Sequence, residues 1–210
     1  MTINEKIQAI GIIPVVVLDE AKDAAALGNV LCRGGLPAAE VTFRTDAAEE
    51  SIRIMSRECP ELFVGAGTVL NVLQAERAVD AGAKFIVSPG FSEDVVSWCL
   101  DRDIPVFPGT ATPTEMTKAV EYGLSVVKFF PAEPAGGLKY IKACAAPFTG
   151  LKFMPTGGIN EKNVRDYLSY DRIIACGGSW MVKKDMIKEG RFEEIEKLVR
   201  EAAEIVKSVR

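Results

Sequence analysis

A short, continuous apolar run followed by a helix-length stretch of mixed polarity recurs eight times along this 210-residue chain. The runs fall at residues 12–18, 38–43, 62–68, 84–90, 104–110, 126–130, 152–158 and 172–178, with starts 20 to 26 residues apart. Runs of this length, rich in β-branched and aromatic residues and closed by Gly or Pro, read as strands. They are apolar throughout, with no in-out alternation, as strands of a parallel sheet covered on its outer face by helices are. Helices are expected at 21–32, 47–59, 71–81, 92–102, 113–122, 137–145, 163–168 and 192–206, with a short one at 4–10 ahead of the first strand. Eight strand-helix units close into a (β/α)8 TIM barrel, and no linker interrupts residues 1–210, so one domain is expected. A doubly wound open sheet is the alternative. Its first strand should run into GxGxxG, whereas here DEAKD follows Leu18, and the GAG at 65–67 lacks the last glycine of that fingerprint.

Lys128 stands in the middle of one such run, between Val126-Val127 and Phe129-Phe130. A buried ammonium without a partner is costly, so the position calls either for a carboxylate partner or for use as a neutral amine. A neutral amine is a nucleophile that forms Schiff bases with carbonyl compounds. In a barrel the chemistry gathers at the C-terminal ends of the strands, and Lys84 and Lys152 instead open theirs, on the far face. On the second run Glu40, Thr42 and Arg44 share one face and Val41 and Phe43 the other, so Glu40 and Lys128 are both candidates to point inward. Glu40 is then either a proton-transfer group or only the charge partner that makes Lys128 tolerable.

The chain has no histidine, which removes the usual zinc ligand and the usual neutral-pH base; no metal or cofactor is expected, and proton transfer falls to carboxylates, lysines, tyrosines or water. A net charge of -4 and a pI near 5.1 give no attraction for nucleic acid or an anionic membrane. Five widely spaced cysteines suit reduced thiols in a core, and with no leader-like or membrane-length apolar segment a cytoplasmic protein is expected. Several run ends carry small residues and hydroxyls, including Thr156-Gly157-Gly158 and Gly178-Ser179. Singly these are tight turns. Together, after the seventh and eighth strands, they are placed to bind a phosphate through backbone N–H groups.

With these residues in view, the chain resembles the bacterial 2-keto-3-deoxy-6-phosphogluconate (KDPG) and 2-keto-4-hydroxyglutarate (KHG) aldolases through EVTFRT (40–45), GAGTVLN (65–71), VSPGF (87–91), VKFFPAE (127–133), PTGGI (155–159) and GGSW (177–180). The resemblance implies a homotrimeric barrel that cleaves KDPG without metal to pyruvate and glyceraldehyde 3-phosphate. By it Lys128 is the Schiff-base lysine and Glu40 the proton-transferring carboxylate. It also places Arg44 and Thr68 at the pyruvyl carboxylate, Pro89 and Phe130 in the wall around the pyruvyl group, and Thr156, Gly157, Gly158 and Ser179 at the substrate hydroxyls and phosphate. Related enzymes for the galactonate epimer favour an arginine at the end of the first strand, where this chain has Leu18 and Asp19. The alternatives are a KHG or phosphogalactonate aldolase, and a phosphosugar-binding barrel without catalysis, which would have little reason to keep both Lys128 and Glu40.

Overall fold

The computed structural model describes residues 2–210. Helix α1 (Ile3–Ile10) opens it with a capping box: the Thr2 hydroxyl accepts the Glu5 N–H, and the Glu5 carboxylate accepts the Thr2 N–H. The strands are β1 (Ile12–Val16), β2 (Ala38–Thr42), β3 (Phe63–Gly67), β4 (Ile86–Val87), β5 (Val106–Phe107), β6 (Gly109–Thr110), β7 (Val126–Phe129), β8 (Lys152–Pro155) and β9 (Cys176–Gly178). Around them run α2 (Ala24–Gly34), α3 (Ala48–Glu58), α4 (Val72–Asp80), α5 (Glu93–Leu100), α6 (Pro113–Glu121), α7 (Gly137–Ala145), α8 (Val164–Leu168), α9 (Lys184–Lys188) and α10 (Phe192–Val209). Asn71, Ser92 and Thr112 cap α4, α5 and α6 with side-chain oxygens, which is why those helix starts are readable from sequence to within a residue.

Every strand pairing is parallel, in a six-stranded sheet of order β5-β4-β3-β2-β1-β9 and a three-stranded sheet of order β6-β7-β8. The expected fifth strand is therefore two strands. Pro108 divides them, because it has no N–H for the ladder, although its carbonyl still accepts the Lys128 N–H at 3.0 Å. Single bridges, Phe153 to Ile173 and Thr156 to Gly177, tie the second sheet back toward the first. The result is a curled parallel sheet wrapped by helices. The fourth and eighth strands are shorter than expected, two and three residues instead of seven; before β9 the chain touches β8 only through the Phe153 to Ile173 bridge, where the Arg172 carbonyl accepts the Phe153 N–H at 2.8 Å. Helix α9 is not among the helices expected from sequence; five residues with two buried side chains, Met186 and Ile187, are too few to show a period.

β1, β2, β3 and β7 are buried at every position, as continuous apolar runs require. The five thiols are free, with Cys59, Cys99, Cys144 and Cys176 buried and Cys32 half-buried. The GAG run of β3 is a packing device. A β-carbon on Gly65 would lie 2.3 Å from the Phe85 ring, which stacks on Phe63 at 5.0 Å and meets Phe107 edge-on at 6.1 Å. Gly65→Ala is expected to force this aromatic layer apart and to cost about 1–3 kcal/mol. The readout is a lower urea midpoint at unchanged m-value; an unchanged midpoint would mean that the layer has slack.

Candidate active site

Glu40 projects inward from the middle of β2 and Lys128 from the middle of β7, and they meet with Lys128 Nζ 3.2 Å from Glu40 Oε1. Glu40 is fully buried and Lys128 is 4% exposed. Burying both charges costs desolvation that their attraction barely offsets, so such a pair is a poor way to gain stability. Its chemistry is the better reason for it. The other Glu40 oxygen, Oε2, has no hydrogen-bond partner, and neither does the buried hydroxyl of Thr156. Unsatisfied buried acceptors and donors each cost about 1–3 kcal/mol, and both of these lie at the same end of the sheet. The Phe130 ring lies over Lys128 with its centroid 5.2 Å from Nζ.

A cavity of about 270 Å³ opens at this end. Six of the residues expected from sequence line it: Arg44, Phe130, Thr156, Gly157, Gly158 and Ser179. Val15 and Val17 from the β1 end and Ile159 supply its apolar wall. Arg44 reaches it by a different route from the one its alternation with Thr42 suggested. β2 stops at Thr42, whose hydroxyl is bonded to the Val16 carbonyl, and Arg44 sits in the following turn, where its N–H returns to the Thr42 carbonyl at 2.8 Å.

Thr68 holds Arg44 in place: the Arg44 Nε–H donates to Thr68 Oγ1 at 3.1 Å. Thr68 has φ +56°, the left-handed region that a β-branched residue enters only under strain. Pro89 is outside the cavity lining. Its carbonyl oxygen packs onto Gly109, where a β-carbon would come within 2.1 Å of it, and Gly109 is the register partner of Lys128.

The Thr156-Gly157-Gly158 turn is braced from outside. The Thr156 carbonyl accepts from Ala132 N–H, the Gly157 carbonyl from Glu133 N–H, and the Gly158 carbonyl from the amides of Asn160 and Asn163. Both glycines have positive φ, +101° and +82°. Among the described residues no backbone acceptor takes the N–H groups of Gly157 and Gly158. With its carbonyls tied and two glycine N–H groups without a backbone acceptor at residues that line the cavity, the turn is suited to an anion.

A family model described as KDPG and KHG aldolase matches residues 3–198. The chain belongs to this aldolase family. It is 46% identical over 206 residues to the 2-dehydro-3-deoxy-phosphogluconate aldolase of Treponema pallidum, covering 98% of each chain. It is 42% identical to the KHG/KDPG aldolase of Escherichia coli, covering 92% of this chain and 91% of that one. Among solved structures it is similar to the KDPG aldolase of Legionella pneumophila, described with pyruvate captured as a covalent carbinolamine (TM-score 0.91, 36% identity, 95% and 97% covered).

In this aldolase chain several residues that shape the site escape sequence reasoning. Gly67, Gly109 and Gly177 read as turn glycines, yet a β-carbon on any of them would collide with a site group: with Glu40, with the Pro89 carbonyl and with Thr156. Asn160 and Asn163 have a readable signal, two asparagines three apart just after a Gly-Gly turn. Glu133 accepts a hydrogen bond from Tyr167, and burial first, then that bond, raises the Tyr167 phenol above its ordinary range.

Proposed function

We propose that this chain is a Schiff-base aldolase cleaving KDPG to pyruvate and glyceraldehyde 3-phosphate, as the names of its relatives suggest. The observation that carries the reading is the buried Lys128-Glu40 pair, separated by the Phe130 ring over Lys128 from a cavity that Phe130, Arg44 and two glycine-rich turns line. Lys128 Nζ adds to the C2 ketone and, with loss of water, gives an iminium. Glu40, directly or through a water, takes the C4 hydroxyl proton; the C3–C4 bond breaks, its electrons enter the iminium as an enamine, and glyceraldehyde 3-phosphate leaves. The enamine takes a proton at C3, and hydrolysis returns the amine and pyruvate. Arg44, held by Thr68, takes the carboxylate; their hydrogen bond and the backbone strain at Thr68 support this role. Phe130 flanks the pyruvyl group, and Pro89 acts behind it through Gly109, the register partner of Lys128; Thr156, Gly157, Gly158 and Ser179 take the hydroxyls and phosphate.

For this reading we take residues 1–210 as one domain and the two sheets, joined through Pro108 and the Thr156 to Gly177 bridge, as a closed (β/α)8 barrel. Family resemblance supports a homotrimer in the cytoplasm. The gluconate epimer is favoured because no arginine stands after β1, where the galactonate enzymes favour one: Leu18 is buried, and Asp19 is an acid paired with Lys184 at 2.8 Å. Among the described residues no three carboxylates or thiols cluster to hold a metal ion.

The test is pyruvate release from the gluconate-derived, galactonate-derived and unphosphorylated 4-hydroxy-2-keto acids, each with and without exhaustive chelation. Cleavage fastest with the gluconate compound and indifferent to EDTA is expected. Equal rates on both epimers would remove the substrate assignment, and activity lost to EDTA and restored by a divalent ion would remove the Schiff-base assignment.

A further inference from the structure

The Glu40 carboxylate rests on a residue with no side chain. A β-carbon on Gly67 would stand 2.3 Å from Glu40 Oε1, 2.6 Å from its Cγ and 2.8 Å from its Cδ. Gly67 is at the end of β3, paired in register with Thr42 of β2, two residues beyond Glu40. Unlike Gly157 and Gly158 it has no positive φ, so what the position requires is the missing side chain and not backbone freedom. Glu40 has little room to retreat. It is fully buried, one oxygen is 3.2 Å from Lys128 Nζ, and its chain is packed inside the sheet. A methyl group at 67 must therefore displace the carboxylate that faces the amine.

We propose that Gly67 is a positioning residue for the reaction: by giving up its side chain it seats the Glu40 carboxylate at the distance from Lys128 at which proton transfer occurs. This rests on the reading of Glu40 as the proton-transfer group. Displacing a positioned group by about 1 Å can cost on the order of 10²-fold in rate. The same displacement leaves the amine free to form its Schiff base.

The step that isolates Glu40 is exchange of pyruvate methyl protons with solvent deuterium, followed by NMR. At the Lys128 iminium the base removes a methyl proton to give the enamine, which takes back a deuteron. Gly67→Ala is expected to slow this exchange by about 10²-fold, while pyruvate and borohydride still label Lys128 to completion. In a Glu40→Ala background, adding Gly67→Ala should change the residual rate less than about twofold, since the group it displaces is gone. If Gly67→Ala exchanges within about threefold of the parent while Glu40→Gln loses exchange, Glu40 keeps its role and Gly67 has none. Full exchange by Glu40→Gln would remove both. Should Gly67→Ala fail to fold, the Glu40→Ala/Gly67→Ala protein must fold, because the collision is with Glu40; its failure to fold would equally overturn the proposal.

Discussion

Lys128→Met loses aldol cleavage by about 10⁴-fold or more, since no other amine stands in the buried pair to take over the covalent step. Methionine matches the apolar stem of lysine out to the ε-carbon, so most of the wall against Phe130 is kept. Stability falls for a separate reason. Glu40 is left buried with neither oxygen bonded, a situation that costs about 3–5 kcal/mol unless the carboxylate takes a proton. Adding Glu40→Gln removes that charge and should recover part of the lost melting temperature while restoring no activity. A Lys128→Met protein that keeps substantial turnover would place the nucleophile elsewhere.

Gly158→Val raises KM for the phosphorylated substrate by roughly two to four decades, the equivalent of two charge-assisted hydrogen bonds at about 1.5–3 kcal/mol each. Two features of the turn produce this. With φ +82° the backbone at 158 is strained by any side chain, and a β-carbon there would meet the Glu133 side chain at 2.6 Å, so the turn must shift and carry its N–H groups with it. An acidic protein with few cations near the turn has little else with which to hold a doubly charged group. Cleavage of 2-keto-4-hydroxyglutarate, which has no phosphate, should suffer much less. Ser179→Ala, at an exposed position without backbone strain, should shift KM in the same direction but more weakly. If both variants slow both substrates by the same factor, the turns are structural and the phosphate is bound elsewhere.

What could be read from sequence follows from how each feature is encoded. Apolar runs ending in Gly or Pro fix where the strands lie, and cap residues fix where α4, α5 and α6 begin. The Lys128-Glu40 meeting is legible because a lone lysine in an apolar strand demands a partner, and strand alternation turns Glu40 the right way. Breaks and tight contacts were not legible. Pro108 splits a run whose composition is uniformly strand-like, and β2 ends before Arg44 because the Arg44 N–H turns back to the Thr42 carbonyl. The left-handed Thr68 leaves no mark in composition. Gly67, Gly109 and Gly177 look like any turn glycine until the neighbouring strand shows what would collide with them. That information lies in the distance between strands, to which a single sequence has no access.

The most direct measurement is the mass of the protein after incubation with pyruvate and borohydride, followed by peptide mapping. One pyruvate-derived adduct per chain, on Lys128 and absent from Lys128→Met, is the predicted result. No adduct, or an adduct at full extent on another lysine in that variant, would contradict it.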